Sequence, residues 1–424
     1  MEKKKFKVVT LGCRTNQYES QAYTDQLIGL GYEAASDADA AEICVVNTCT
    51  VTESADSSSR HHIRQLARQN PGAKILVTGC LAQRDPDLLS QIEGVTHVVP
   101  NTDKENLLAT IFPKEDLPEF AIKNFEAHTR AFVKVQDGCN SFCTYCIIPY
   151  VRGRSRSRKL DEILEEINTL VSNGYKEIVL TGINIGDFDG APEEGQPPVR
   201  LSELVRAVDK IEGVERIRIS SIDPDEVDDD LIDAVINGKK TCHSFHIVLQ
   251  SGSNIVLKRM NRKYTKEIFL STINRLKNIS SDFTFTTDII VGFPGESQAD
   301  FQDTLDVMDK VKFAKVHMFP YSERKRTRAA MFTGKVPHPV IQERKRQLLE
   351  LAEKNAYELR HHYVGRTMSV LIESEEKNRP GVFSSHTENF LPVLVEDNTL
   401  SSNQIIMVEI IENTQEALIG RKIS

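Results

Sequence analysis

Apolar positions fall in two alternating rhythms over residues 6–112. Short apolar runs at Lys7–Leu11, Ile43–Asn47, Lys74–Thr78 and Thr96–Val99 read as strands. Gln17–Leu30 and a stretch from about Ser54 to Gln69 carry helical spacing, and helical segments are expected after the third and fourth strands too. Such alternation predicts an open parallel sheet covered by helices.

Between about 128 and 330 strand and helix repeat six times. The strands lie near Ala131–Gln136, Glu177–Thr181, Arg216–Ser220, Phe245–Leu249, Phe285–Val291 and Lys315–Phe319. Helices between them include Leu160–Ser172, Leu201–Ile211 and Ala299–Val311. A complete (β/α)₈ barrel takes ~250 residues and eight strands, so six units predict a partial (β/α)₆ barrel with its active face at the carboxyl ends of the strands. A charged helix from Ile341 to about His361 follows. From Thr367 the pattern turns to five short strands, which read as a small β-barrel or sandwich. The expected α/β layout is therefore three units, at 1–125, 126–361 and 362–424.

Composition changes this picture little. No uncharged apolar run approaches the ~18 residues of a membrane span, and the first residues lack a secretory apolar region, so a cytoplasmic protein is expected. The net charge of −8 argues against a generally basic nucleic-acid binder. Two local basic runs exist, Arg152, Arg154, Arg156, Arg158 and Lys159, and Arg324–Arg328. Each is open to reading as a solvated face or as a nucleic-acid contact.

The eight cysteines change it more. In a large cytosolic chain they point to metal binding or catalysis before disulfides. Cys13, Cys49 and Cys80 each lie just past a strand, at the ligand-binding edge of an open α/β sheet, and so converge. Cys44 sits inside the run ICVV and reads as a buried structural residue. Cys139, Cys143 and Cys146 follow the first barrel strand in the pattern CxxxCxxC. Three thiolates at that spacing can hold three irons of a 4Fe–4S cube. The fourth iron then has an open position that chelates the amino and carboxylate groups of S-adenosylmethionine (SAM). One electron cleaves the sulfonium to methionine and a 5′-deoxyadenosyl radical. A structural zinc site is the alternative, but it wants four ligands, and His128 stands eleven residues upstream across the strand.

The segments TLGCRTNQYES, VVNTCTVTESAD and VQDGCNSFCTYCIIPYVRGRSRSR make the chain recognisable. It resembles the radical SAM methylthiotransferases from its first strand to its carboxyl terminus, and among them the MtaB-type enzymes. These act on N6-threonylcarbamoyladenosine beside the tRNA anticodon and add methylthio at adenine C2. The resemblance implies a cluster domain, a radical SAM partial barrel and a C-terminal TRAM barrel. It implies two 4Fe–4S clusters, on Cys13, Cys49 and Cys80 and on Cys139, Cys143 and Cys146. It also implies two SAM molecules per product, a tRNA anticodon stem-loop as substrate and a flavodoxin- or ferredoxin-type electron donor; a monomer is expected. The chain departs from the family after Tyr321-Ser322, where Glu323–Arg328 replaces the Pro-Arg and Gly-Thr-Pro segments often found there.

Polar residues recur at the barrel strand ends and are the expected SAM contacts: Thr181, Gly182 and Asn184, then Ser221 and Asp223, then Gln250 and Ser253, then Asp288 and Gly292. Tyr145 is placed to pack against adenine, with Phe319 as a further wall. Turn chemistry is the alternative for each, and Ser297 with Asp300 fits a helix cap. A threonylcarbamoyl group carries a carboxylate, so its site wants a cation, and Arg152 or Arg154 is expected to contact the modified nucleotide or its phosphate. The terminal unit carries nine acidic and four basic residues from 367 onward, so few phosphate contacts are expected from it. Rival readings are a methylthiotransferase for isopentenyladenosine tRNA or a ribosomal-protein side chain, and a metal-stabilised RNA-binding protein without catalysis.

Overall fold

The structure, a computed structural model, describes residues 4–36, 38–124 and 129–423. His128, weighed above as a fourth zinc ligand, lies outside the described residues. The chain opens with β1 (Lys5–Thr10), α1 (Arg14–Gly29), β2 (Glu33–Ala34) and β3 (Ile43–Thr48). There follow α2 (Glu53–Gln69), β4 (Lys74–Gly79), α3 (Cys80–Arg84), α4 (Pro86–Ser90) and β5 (Val95–Val98). All five strands are parallel, in the order β2-β1-β3-β4-β5. β3 is buried on both faces, as a central strand under helices must be. After β5 the chain takes 3₁₀ turns at Asn101–Asn106 and Leu108–Thr110 where an α-helix is expected.

The second unit begins with β6 (Arg130–Lys134) and a two-residue pairing of β7 (Gln136–Asp137) with β8 (Arg156–Ser157). Its helices are α5 (Ile148–Val151), α6 (Leu160–Ser172), α7 (Leu201–Asp209), α8 (Asp229–Ile236), α9 (Asn254–Arg259), α10 (Lys266–Ile279) and α11 (Gln298–Val311). They alternate with β9 (Glu177–Thr181), β10 (Arg216–Ile219), β11 (Ser221–Ile222), β12 (Ser244–Ile247), β13 (Thr284–Val291) and β14 (Lys315–Pro320). These form two parallel arcs, β6-β9-β10 and β11-β12-β13-β14, divided where Ser220 breaks one strand into β10 and β11. The main core fills the space between these strands and their helices. The result is the expected open arc of six parallel strand positions.

The N-terminal sheet closes the open side of that arc. Tyr18 on α1 donates to Glu166 on α6 at 2.7 Å, and beyond β14 Arg324 pairs with Asp56 on α2 at 2.7 Å. After α12 (His338–His361), strands β15 (Thr367–Glu375), β16 (Val382–Thr387), β17 (Pro392–Glu396), β18 (Ile405–Asn413) and β19 (Leu418–Lys422) close a barrel in the order β15-β16-β17-β19-β18. It docks at the strand beginnings of the partial barrel. Arg216 donates to Ser369 Oγ at 2.9 Å, Arg218 to the Glu388 carbonyl at 2.9 Å, and Arg130 pairs with Glu373. The small barrel thus covers the mouth opposite the cysteine loops. No helix among the described residues is long and apolar enough to cross a membrane.

Candidate active site

Both cysteine triads stand on loops at the carboxyl ends of strands. Cys13 caps α1 in extended backbone directly after Gly12, whose φ of +97° suits glycine. A Cβ on Gly12 would lie 2.8 Å from Cys49 Sγ, so the glycine is what lets the first two thiol-bearing loops meet. Cys80 opens α3 and packs against Ile147, Ile148 and Val151, which follow the second triad. Burial pushes the Cys80 thiol up to about 12; Arg152 opposes that shift and the Cys13 and Cys49 thiols add to it. Burial likewise raises Cys139 and Cys146, each further raised by Cys143.

The thiols are grouped more loosely than one ion would need: among the described residues no three His, Cys, Asp or Glu side chains stand close enough to hold a single metal ion. A cube takes each thiolate on a different iron. Two sulfurs already accept hydrogen bonds, Cys143 from Arg262 Nη1 at 3.0 Å and Cys139 from the Ser141 N–H at 3.4 Å. Donors aimed at sulfur suit ligated thiolates, so the residues present fit an iron–sulfur cluster.

The two cysteine loops and the strand ends converge on one cavity of about 180 Å³. Val51 and Thr52, just past Cys49, line one side; Tyr145 and Cys146 line another; Gln250, Asp288 and Phe319 close it from the strand ends. Loops of two separate units thus share one chamber.

Comparison with known proteins agrees with this geometry. The Radical SAM superfamily matches residues 133–308, and Uncharacterized protein family UPF0004 matches residues 5–100. Threonylcarbamoyladenosine tRNA methylthiotransferase MtaB of Chlamydia pneumoniae is 47% identical to this chain, over 98% of it and 97% of the relative. The chain belongs to the radical SAM methylthiotransferase family. A further relative, tRNA-2-methylthio-N(6)-dimethylallyladenosine synthase of Finegoldia magna, is 35% identical over 99% of this chain and 94% of its own. Among solved structures, the radical SAM methyltransferase TsrM from Kitasatospora setae shares the fold, with a TM-score of 0.54 at 14% identity over 76% of this chain and 75% of that one.

The other strand-end residues of this methylthiotransferase divide into two groups. At the end of β9, Gly182 leaves room for Gln136, whose side-chain oxygen accepts from the Ile183 and Asn184 N–H groups at 2.9 and 3.1 Å. Thr181 is buried at the end of β9, and Ser221 is half-buried in β11. Asn184 donates to Glu226 at 2.9 Å. Burial, then the Asp223 carboxylate, raises the Glu226 carboxyl to about 7. Asp223 pairs with Arg262, so a single guanidinium links the Cys143 sulfur to the third strand end. Gln250 holds φ at +63°, and its buried side-chain oxygen has no partner among the described residues.

Ser253 and Gly292 have clear structural employment instead. Ser253 caps α9 and donates to Asp300 at 2.5 Å; Gly292, at φ +78°, lies where a Cβ would strike Ile341 at 2.6 Å. Ser297 and Asp300 form the expected capping box.

Arg152 requires a correction. It is wholly buried, donates to Asp137 at 2.8 Å and Glu19 at 3.1 Å, and bonds Asn16. Every one of those partners belongs to the seam between the two units, which leaves no access for a nucleotide. Arg154 is exposed, with its guanidinium 4.3 Å from the Phe142 ring centre. Arg156, Arg158 and Lys159 pair with Asp137, Glu166 and Glu193. Within the run Arg152 and Arg158 are internal ties, whereas Arg154, Arg156 and Lys159 remain exposed.

Sequence reasoning passed over Arg262 and Arg14. Arg262 lies in the polar stretch NRKY, which carries no motif, whereas Arg14 adjoins Cys13 and its position was a usable signal.

Proposed function

We propose that this enzyme adds a methylthio group to C2 of N6-threonylcarbamoyladenosine at position 37 of tRNA, consuming two SAM molecules per product and working in the cytoplasm. The observation that carries the reading is the cavity shared by the Cys49 loop, the Cys146 loop and the barrel strand ends. Sulfur donor and SAM must both reach one carbon atom, and a common chamber meets that demand.

In this reading Cys139, Cys143 and Cys146 hold one 4Fe–4S cluster, and Cys13, Cys49 and Cys80 hold a second. When bound, these clusters supply the electron for SAM cleavage and the site for the transferable sulfur. Arg262 orients the first cluster loop by donating to Cys143 while held by Asp223. Tyr145 and Phe319 offer apolar walls to a planar base, and Ile290 continues that surface. Gln250 brings an unpartnered carbonyl oxygen as an acceptor for SAM or base. The apolar lining limits water around the reacting atoms. A flavodoxin or ferredoxin delivers the electrons.

Nucleoside analysis of tRNA from cells lacking and carrying the gene tests this. The expected result is 2-methylthio-N6-threonylcarbamoyladenosine only in cells that carry it. Methylthiolation confined to isopentenyladenosine, or tRNA that does not change, would overturn the substrate assignment.

A further inference from the structure

Arg14 differs from the other arginines that face the barrel interior. Glu177 serves Arg130, Arg216 and Arg218 at 2.6, 3.5 and 2.9 Å, and Arg130 also reaches Glu373. The Arg14 side chain has neither hydrogen bond nor ion pair among the described residues. Its guanidinium carbon lies 5.5 Å from the centre of the Phe132 ring. An arginine is always charged at neutral pH, so this is a half-buried cation with no ion-pair partner among the described residues. Leaving a charge desolvated and unpaired is unfavourable, and the cost is recovered when an anionic ligand arrives.

Its position says which anion. Arg14 adjoins Cys13, so it comes from the sulfur-bearing side as read above, and it enters the barrel over the middle of β6. Phe132 pairs with Val179, four residues before Gln136 at the cluster end, a separation of roughly 13 Å along the strand. That is below the strand-end level where SAM's own carboxylate would meet the Cys139–Cys146 loop. Asp288, which lines the cavity and pairs across the sheet with His317, lies within electrostatic reach of Arg14. Arg14 does not itself line the cavity, so a ligand meets this guanidinium only through a group that extends from a base in the cavity past Asp288 into the barrel interior.

We propose that Arg14 receives the carboxylate of the threonylcarbamoyl group and so selects adenosines that carry an anion on N6. The inference rests on the substrate reading above. A planar guanidinium takes a carboxylate in two parallel hydrogen bonds, and a site with a buried, otherwise unpaired charge discriminates against a ligand that leaves it so.

The test compares anticodon stem-loops carrying threonylcarbamoyladenosine, its methyl amide and isopentenyladenosine. Equilibrium binding to the reconstituted holoenzyme is followed by fluorescence anisotropy, with SAM affinity measured alongside. Wild type is expected to prefer the acid to the amide by about 100-fold, the scale of a charged hydrogen-bonded pair. Arg14→Gln should reduce that preference to within about threefold by weakening only the acid. Should Arg14→Gln fail to retain its iron, Arg14→Lys decides, with about a tenfold loss of preference expected as bidentate geometry is removed. Wild-type preference in whichever variant is folded overturns the assignment. So does a loss of SAM affinity with the preference intact, which would give Arg14 to SAM's carboxylate. If wild type binds the isopentenyl stem-loop best, the substrate reading falls and this inference with it. If wild type prefers the acid and both variants do so equally, only the inference falls.

Discussion

Arg152 carries its charge with no exposed surface, held between Glu19 of α1 and Asp137 of the strand that leads into the second cysteine loop. Lys104 also reaches both carboxylates, at 2.5 Å each. Burial alone would raise those carboxyls, but Arg152 and Lys104 together hold both below the usual carboxylate range. Removing one partner of such a group strands the others, at a cost of about 3–5 kcal/mol. Arg152→Ala should therefore lower the denaturation midpoint and the iron retained by both triads. An unchanged midpoint with only tRNA affinity reduced would return Arg152 to a substrate role.

Glu226 gives a pH prediction at the same scale. Its carboxyl titrates near 7 in the folded chain, raised from 4.5 by burial first and by Asp223 second. Between those values the folded chain holds a proton that the unfolded chain has released. Stability therefore falls as pH rises through the window and levels off above it. The loss should amount to at most about 3 kcal/mol. Glu226→Gln removes the titration, so denaturation of the variant between pH 5 and 8 should show a flatter slope than wild type. Equal slopes would mean that another group titrates there.

Among the elements, the two cysteine loops invite separation. Roughly eight irons per chain are expected after anaerobic reconstitution if each triad holds a cube. Replacing Cys139, Cys143 and Cys146 by Ala should leave about half the iron and abolish SAM cleavage. Replacing Cys13, Cys49 and Cys80 should spare SAM cleavage and abolish methylthiolation. 5′-Deoxyadenosine made by the first triple variant would show the radical site to be elsewhere. In the second, the fold needs checking, because loss of a cluster can unfold the loops around it. Helix α1 ties these loops to the barrel, since it begins at Arg14, right after Cys13, and carries Asn16, Tyr18 and Glu19 into the seam.

For the whole molecule, the consequence is one shared interior covered on two sides. The N-terminal sheet covers the open side of the six-strand arc, and the small barrel covers the mouth opposite the cysteines. Several of the small barrel's contacts are made by buried side chains, Arg216 and Arg218 among them, so it acts as a floor. Deleting residues 366–424 should then destabilise the partial barrel itself, seen as a lower thermal midpoint and faster proteolysis within β6–β10. A truncated chain with the wild-type midpoint and weaker RNA binding would make it an independent RNA module.

Strand and helix order, the partial barrel and the grouping of cysteines at strand ends could all be read from the chain, because each depends on periodicity and on residues fixed to the ends of elements. Cys13, Cys49 and Cys80 are far apart in sequence, yet parallel topology alone sends them to one edge. The capping of α11 by Ser297 and Asp300 was legible for the same reason, being local. What only tertiary structure decided is which charges meet. Arg152 and Arg14 are both arginines beside a cysteine loop, but one is enclosed by two carboxylates and the other is left facing an aromatic ring. Glu19 for Arg152 and Phe132 for Arg14 come from elements more than a hundred residues away, and no local pattern encodes that packing. Periodicity fixes where a side chain starts, and the docking of one unit on another fixes what it finds.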